Sequence, residues 1–143
     1  MYNIIAVNEI DDLDISPMAD GTIAKEQIVS LQQIGSWMNL NGEAIYNTVP
    51  LYPHQWGKNI FVTASGDDNT KVIYILNTPP ISMDTLYIPF IRQNLLQDKL
   101  IGIQVLGKGN TNYNMNDTGL YINVPSFNGI PYQYALVYKL TFA

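Results

Sequence analysis

The sequence predicts a mainly β protein: an antiparallel β-sandwich with Greek-key-like connections, preceded by one amphipathic α-helix. Three observations carry that prediction. Apolar residues recur at steps of three and four between Ile23 and Leu40. After Gly42, runs rich in Ile, Val, Tyr and Leu alternate with clusters of Gly, Pro, Asn and Asp. No helical period returns between those runs, and short strands so spaced pair antiparallel in two packed layers. A chain of 143 residues makes one domain of ordinary size, able to bury its core without disulfides or metals.

The helix is expected over Ile23 to Leu40, with Ile28, Leu31, Ile34 and Met38 on one face. Thr22 is the expected N-cap, and Glu26 places a negative charge in the first turn, where the helix dipole favours it. Asn41-Gly42 supplies a stop, because both residues tolerate the left-handed conformation. Gly35 weakens the helix by about 1 kcal/mol relative to Ala, so a small residue there suggests a closely packed neighbour. The expected strands are Ile60–Ala64, Lys71–Asn77, Thr85–Ile88, Leu100–Leu106, Gly119–Val124 and Tyr134–Phe142. Residues 65–70 read as a hairpin turn and 126–131 as a second turn. In the last strand Leu136, Tyr138, Leu140 and Phe142 alternate with Val137, Lys139 and Thr141, so one face is buried and the other wetter. The expected organisation is a leader and helix over 1–41, a linker with Pro50, Pro53 and Gly57 over 42–59, and a β-sandwich over 60–143.

Composition excludes several classes of function. Net charge is −5, from 12 acidic and 7 basic residues, which argues against nucleic-acid partners and against a polybasic route to a membrane. No cysteine is present, which removes thiol nucleophiles, disulfides and Cys-ligated zinc. The start lacks a basic residue before its short apolar run and soon meets Glu9, Asp11, Asp12 and Asp14, so no signal peptide is expected. No apolar stretch is long enough to span a bilayer.

Candidate chemistry is thin. Gly102 to Lys108 matches a phosphate-binding loop up to its lysine, but Gly109 follows where Ser or Thr should hold magnesium. A strand running into a turn is the better reading, with residues 110–116 as a polar loop. His54 is the only histidine, too few for a zinc site without cysteines and unaccompanied by a nucleophile elbow. The acidic residues 9–14 lack the spacing of a calcium loop. No catalytic residue, metal or cofactor is expected. Trp56 with His54 is the one candidate sugar-binding platform, and Asn116-Asp117-Thr118 has the form of an N-glycosylation acceptor.

One stretch carries a resemblance. Pro17-Met-Ala-Asp-Gly-Thr-Ile23, Glu26-Gln27, Ile34-Gly-Ser-Trp37 and Asn41-Gly-Glu-Ala-Ile-Tyr-Asn-Thr48 closely resemble glycoside hydrolase family 29, the α-L-fucosidases. In that family the segment lies where the catalytic barrel ends. Val72–Asn77, Leu106-Gly107, Asp117–Leu120 and Tyr134–Leu140 resemble the family's C-terminal β-sandwich. The resemblance implies a retaining mechanism in the parent enzymes, with two carboxylates carried by a barrel of about 250 residues. No residue here inherits either role. The sequence departs from the family at Asp14-Ile-Ser-Pro17 and at Asp11-Asp12, where a barrel strand would have to bury adjacent carboxylates at a cost of several kcal/mol. Residues 1 to 14 are therefore not expected to form that strand. The resemblance implies a non-catalytic domain that packs on a catalytic barrel, or self-associates, through the helix face Ile28, Leu31, Ile34 and Met38. The alternatives are a carbohydrate-binding module for fucosylated sugars and a subunit completing a separately encoded barrel. Family members resemble lysosomal, secreted or periplasmic enzymes.

Overall fold

The computed structural model describes residues 16–57, 59–66, 72–77, 83–89, 99–125 and 135–143, with only the backbone described at 52–57. The leader 1–14 with its acidic cluster, most of the 65–70 turn and the 126–131 turn lie outside the described residues.

Helix α1 spans Lys25–Asn41 and runs into a 3-10 turn at Gly42–Ala44. Among the described residues nine strands follow: β1 Thr48–Gly57, β2 Ile60–Ser65, β3 Val72–Asn77, β4 Thr85–Pro89, β5 Leu100–Val105, β6 Gly109–Asn110, β7 Tyr113–Met115, β8 Gly119–Asn123 and β9 Leu136–Phe142. They form a six-stranded sheet in the order β1-β2-β3-β9-β5-β6 and a three-stranded sheet in the order β4-β8-β7. All named pairings are antiparallel. The chain crosses from one sheet to the other after β3, returns in β5, crosses again for β7 and β8, and closes with β9. That last strand sits between β3 and β5, so the large sheet is complete only when the end of the chain is in place.

Alternation along each strand divides apolar residues between two faces. Ile60, Val62, Ile73, Ile75, Ile103, Val105, Tyr138 and Leu140 of the large sheet meet Leu86, Ile88, Leu120 and Ile122 of the small one in a single core. The opposite face of the large sheet carries a second cluster, in which Phe61, Tyr74, Leu76 and Val137 pack with Trp37 and Ala44. The sandwich therefore has a helical layer on one outer face. Tyr138 is fully buried, and its hydroxyl has no hydrogen-bond partner among the described residues.

Several local expectations are corrected. Ala24, which has no side-chain acceptor, occupies the N-cap, and Thr22 bonds backward instead, its amide and hydroxyl both donating to Asp20 Oδ1, at 3.0 and 2.7 Å. Gly42 does not end the helix in the left-handed region. Its φ is −58° and the chain tightens into the 3-10 turn. A left-handed residue comes later, at Asn47 with φ 56°, whose carbonyl accepts the Gly66 amide at 2.7 Å. Among the described residues nothing lies within 4 Å of a Cβ built at Gly35, so no close neighbour accounts for it. Residues 42–59, read as a linker, hold the 3-10 turn and β1. Pro50 is tolerated there because β1 is an edge strand with no ladder on its outer side. The near-match to a phosphate loop is strand β5 followed by a turn, closed by the Lys108 amide donating to the Val105 carbonyl at 3.0 Å. The polar loop after it folds into the short strands β6 and β7.

Candidate functional site

The described residues hold two surfaces that could do something beyond holding the fold, and neither is catalytic in kind. The first is built around α1. Ahead of the helix, a turn at Ala19-Asp20 is held by the Met18 amide donating to the Thr22 carbonyl at 2.7 Å and the Gly21 amide donating to the Met18 carbonyl at 2.9 Å. Gly21 takes φ 82°, which a glycine adopts without the Cβ penalty. The two Thr22 bonds favour the Asp20 carboxylate and lower its pKa. Pro17 bridges to Ile23 across this turn, so Met18 and Ile23, both exposed, are presented beside the start of the helix.

The helix itself docks by its last turns. Trp37 and Asn41 are its buried residues. The Trp37 indole Nε1 donates to the Ala135 carbonyl at 2.8 Å, just before β9 begins, and Asn41 Nδ2 donates to the Trp37 carbonyl at 3.0 Å. Glu43 then clamps the 3-10 turn to the sheet. Its Oε2 accepts from Lys139 Nζ at 2.6 Å and from the Tyr74 hydroxyl at 3.1 Å. Burial first, and the Glu43 charge second, push the Tyr74 phenol up to about 12.

Of the predicted helix face, Met38 packs at the edge of the Trp37 cluster. Leu31 and Ile34 are half-buried, and Ile28 is 40% exposed beside Val29 at 49%. The amino-terminal half of α1 thus leaves apolar side chains uncovered by the described residues. The sequence pattern did not single out Trp37. Its partner lies 98 residues away, beyond any local period.

The second surface is the outer face of the small sheet, where Tyr87 and Tyr121 pack against each other with ring centroids 4.8 Å apart and planes tilted by 35°. The alternation Thr-Leu-Tyr-Ile-Pro and Gly-Leu-Tyr-Ile-Asn carries the signal for this pair. Of the predicted sugar platform, only the backbone of His54 and Trp56 is described, in the edge strand β1; their side chains lie outside the described residues.

An open groove of about 390 Å³ lies beside β5, lined by Ile101, Ile103, Tyr113 and Thr141 among others, with neither carboxylate nor imidazole in its wall. Among the described residues no three His, Asp or Glu side chains converge as a metal site would require, and no helix is long and apolar enough to cross a membrane.

No family model matches the chain. Over 90% of its length it is 31% identical to tissue α-L-fucosidase of Homo sapiens and 26% identical to an α-L-fucosidase of Dictyostelium discoideum. It spans only 27% and 28% of those two proteins. Among solved structures, α-L-fucosidase isoenzyme 1 from Paenibacillus thiaminolyticus superposes on 99% of the chain with a TM-score of 0.74 at 19% identity, using 32% of that protein. The α-L-fucosidase from Vibrio sp. strain EJY3 covers 98% with a TM-score of 0.76 at 18% identity, using 24% of that protein. At such identities the structural likeness shows the fold.

Proposed function

The chain is similar, over 90% of its length, to one portion of the α-L-fucosidases, and from that premise we propose that it acts as a non-catalytic β-sandwich domain that packs on a fucoside-cleaving barrel. One observation supports the packing role above the others. Helix α1 is fastened to the sandwich by its last turns through Trp37, while Ile28 and Val29, with Met18 and Ile23 beside them, stay exposed. Apolar side chains gathered at one end of a helix lose their contact with water when a second surface covers them, at about 25 cal/mol for each Å² removed. Two of the described carboxylates serve the fold. A retaining glycosidase needs two carboxylates about 5 Å apart across its substrate. The Glu43 carboxylate is occupied by Lys139 and Tyr74, and Asp20 is bonded to its own turn.

A chimera tests the proposal. In it this chain replaces the matching portion of the human enzyme. Ile28→Asp, at an exposed position, is expected to leave the isolated chain within about 0.5 kcal/mol of its starting stability. In the chimera the same change is expected to lower the melting temperature of the barrel, because a charge is then forced into a covered apolar contact. Equal effects in chimera and isolated chain would remove the packing role.

A further inference from the structure

We propose that the outer face of the small sheet, centred on Tyr87 and Tyr121, is a binding platform for a neutral carbohydrate. The proposal rests on these side chains alone and is independent of the packing role of the helix.

Register fixes who stands on that face. Tyr87 pairs with Tyr121, which pairs in turn with Asn114, and Thr85 pairs with Asn123. Directly opposed residues of an antiparallel pair share a face, and residues two apart on one strand do the same. Thr85, Tyr87, Asn114 and Asn123 therefore stand together around Tyr121, while Leu86, Ile88, Leu120 and Ile122 are buried beneath them. Tyr87 is 40% exposed, Tyr121 is half-buried, and Thr85, Asn114 and Asn123 are exposed.

The rings are held in place before any ligand arrives. A Cβ on Gly119 would stand 2.7 Å from Tyr87 Cε2, so the absence of that side chain is what lets the Tyr87 ring settle onto the sheet. The Tyr87 hydroxyl donates to the Thr118 carbonyl at 2.9 Å. Thr118 is itself pinned by Asn116, whose Oδ1 accepts from the Thr118 hydroxyl at 2.6 Å and from the amides of Thr118 and Gly119 at 2.9 and 3.2 Å. The single proton of the Thr118 hydroxyl is thus committed to Asn116, and the 3.2 Å contact with Tyr121 has the tyrosine as donor. Both phenol protons are spent on the Asn116–Thr118 turn. Each phenol oxygen keeps lone pairs to accept from a ligand hydroxyl. Rings ordered in advance lose little side-chain entropy on binding.

The chemistry of this face selects its ligand. The Tyr87 ring, 40% exposed and packed against Tyr121, attracts the weakly positive C–H bonds on the apolar side of a sugar ring through the negative quadrupole of its face. The amides of Asn114 and Asn123 offer both donors and acceptors at the rim, matching hydroxyls that do the same. None of the five residues is charged. A nucleotide would stack on the same rings, but such sites add basic side chains to hold the phosphate, and none of these five residues is basic.

The test is a titration of the isotope-labelled chain, followed by amide and ring resonances, with methyl α-L-fucopyranoside, methyl β-D-galactopyranoside, 2′-fucosyllactose and cellohexaose. The expected result is saturable shifts at Asn114, Gly119, Tyr121 and Asn123 and in the Tyr87 ring, at millimolar concentrations of at least one probe. Tyr121→Ala is expected to weaken that binding about tenfold, the change made by about 1.4 kcal/mol. Asn114→Ala leaves both rings in place, and it is expected to weaken binding several-fold in a chain whose spectrum is otherwise unchanged. Absence of shifts with all four sugars would overturn the proposal. So would shifts that survive both substitutions, or shifts at this face that follow protein concentration without sugar and so mark a contact between copies.

Discussion

Trp37 is the side chain on which the placement of the helix depends, so replacing it gives a large and specific prediction. An indole of this kind buries about 150–250 Å², and at about 25 cal/mol per Å² its burial contributes roughly 4–6 kcal/mol as an upper bound. Truncation also strips the Ala135 carbonyl of the donor it holds at 2.8 Å, although water entering the space would restore part of that bond. The net loss expected for Trp37→Ala is about 3–5 kcal/mol. For a slope of about 2 kcal/mol per molar urea, the unfolding midpoint falls by roughly 2 M. Far-ultraviolet circular dichroism reads the transition without relying on the tryptophan that has been removed. Trp37→Phe keeps a ring but loses the N–H, and should cost an intermediate amount, about 1–3 kcal/mol. A loss below about 1 kcal/mol for Trp37→Ala, inside the range of ordinary surface changes, would refute the docking of α1 on the outer face of the large sheet.

Two further outcomes follow from the fold. Gly119→Ala pushes a Cβ into the Ile88 carbonyl and the Tyr87 ring. A carbonyl locked in a ladder cannot retreat as a flexible side chain would, so a loss of about 1–3 kcal/mol is expected, with altered Tyr87 ring resonances. Alkaline pH should destabilise the chain through Tyr74. An unfolded tyrosine loses its proton near pH 10, whereas the folded Tyr74 holds its own to about 12. The folded state therefore binds more protons across that window, and stability falls as pH rises from 10 towards 12. Burial shifts Tyr138 in the same direction. Urea melts at pH 8 and above 10 should show a shallower decline for Tyr74→Phe than for the parent chain.

Strand alternation was legible because it is local. The residues 136 to 142 place Tyr138 and Leu140 in the core and Lys139 on the outer face, as their pattern requires. Val137, expected on the wetter face, is instead buried in the Trp37 cluster because the helix covers that side. What could not be read locally is which strands meet. Nothing in the composition of β9 says that it enters the middle of the large sheet, between β3 and β5. The same limit hid the role of Trp37, since the apolar stripe Ile28, Leu31, Ile34 and Met38 dominates the helical period while the docking bond reaches to Ala135. Strands β6 and β7, of two and three residues, are too short to display an alternation. The Tyr87–Tyr121 pair becomes a surface only once register sets one opposite the other. Thr22 misled for a simpler reason: the helix begins at Lys25 with Ala24 as its N-cap, so Thr22 stands two residues too early and bonds back to Asp20 instead.

The claim most exposed to a single measurement is that these 143 residues carry no fucoside-cleaving chemistry of their own. The measurement is release of 4-nitrophenol from its α-L-fucoside by the chain, purified repeatedly to constant composition. No release above buffer is expected, because the resemblance assigns both catalytic carboxylates to a barrel of about 250 residues, and no residue here inherits either role. Turnover that stays constant per molecule through successive purification steps, and is lost on unfolding in urea, would contradict the non-catalytic role outright.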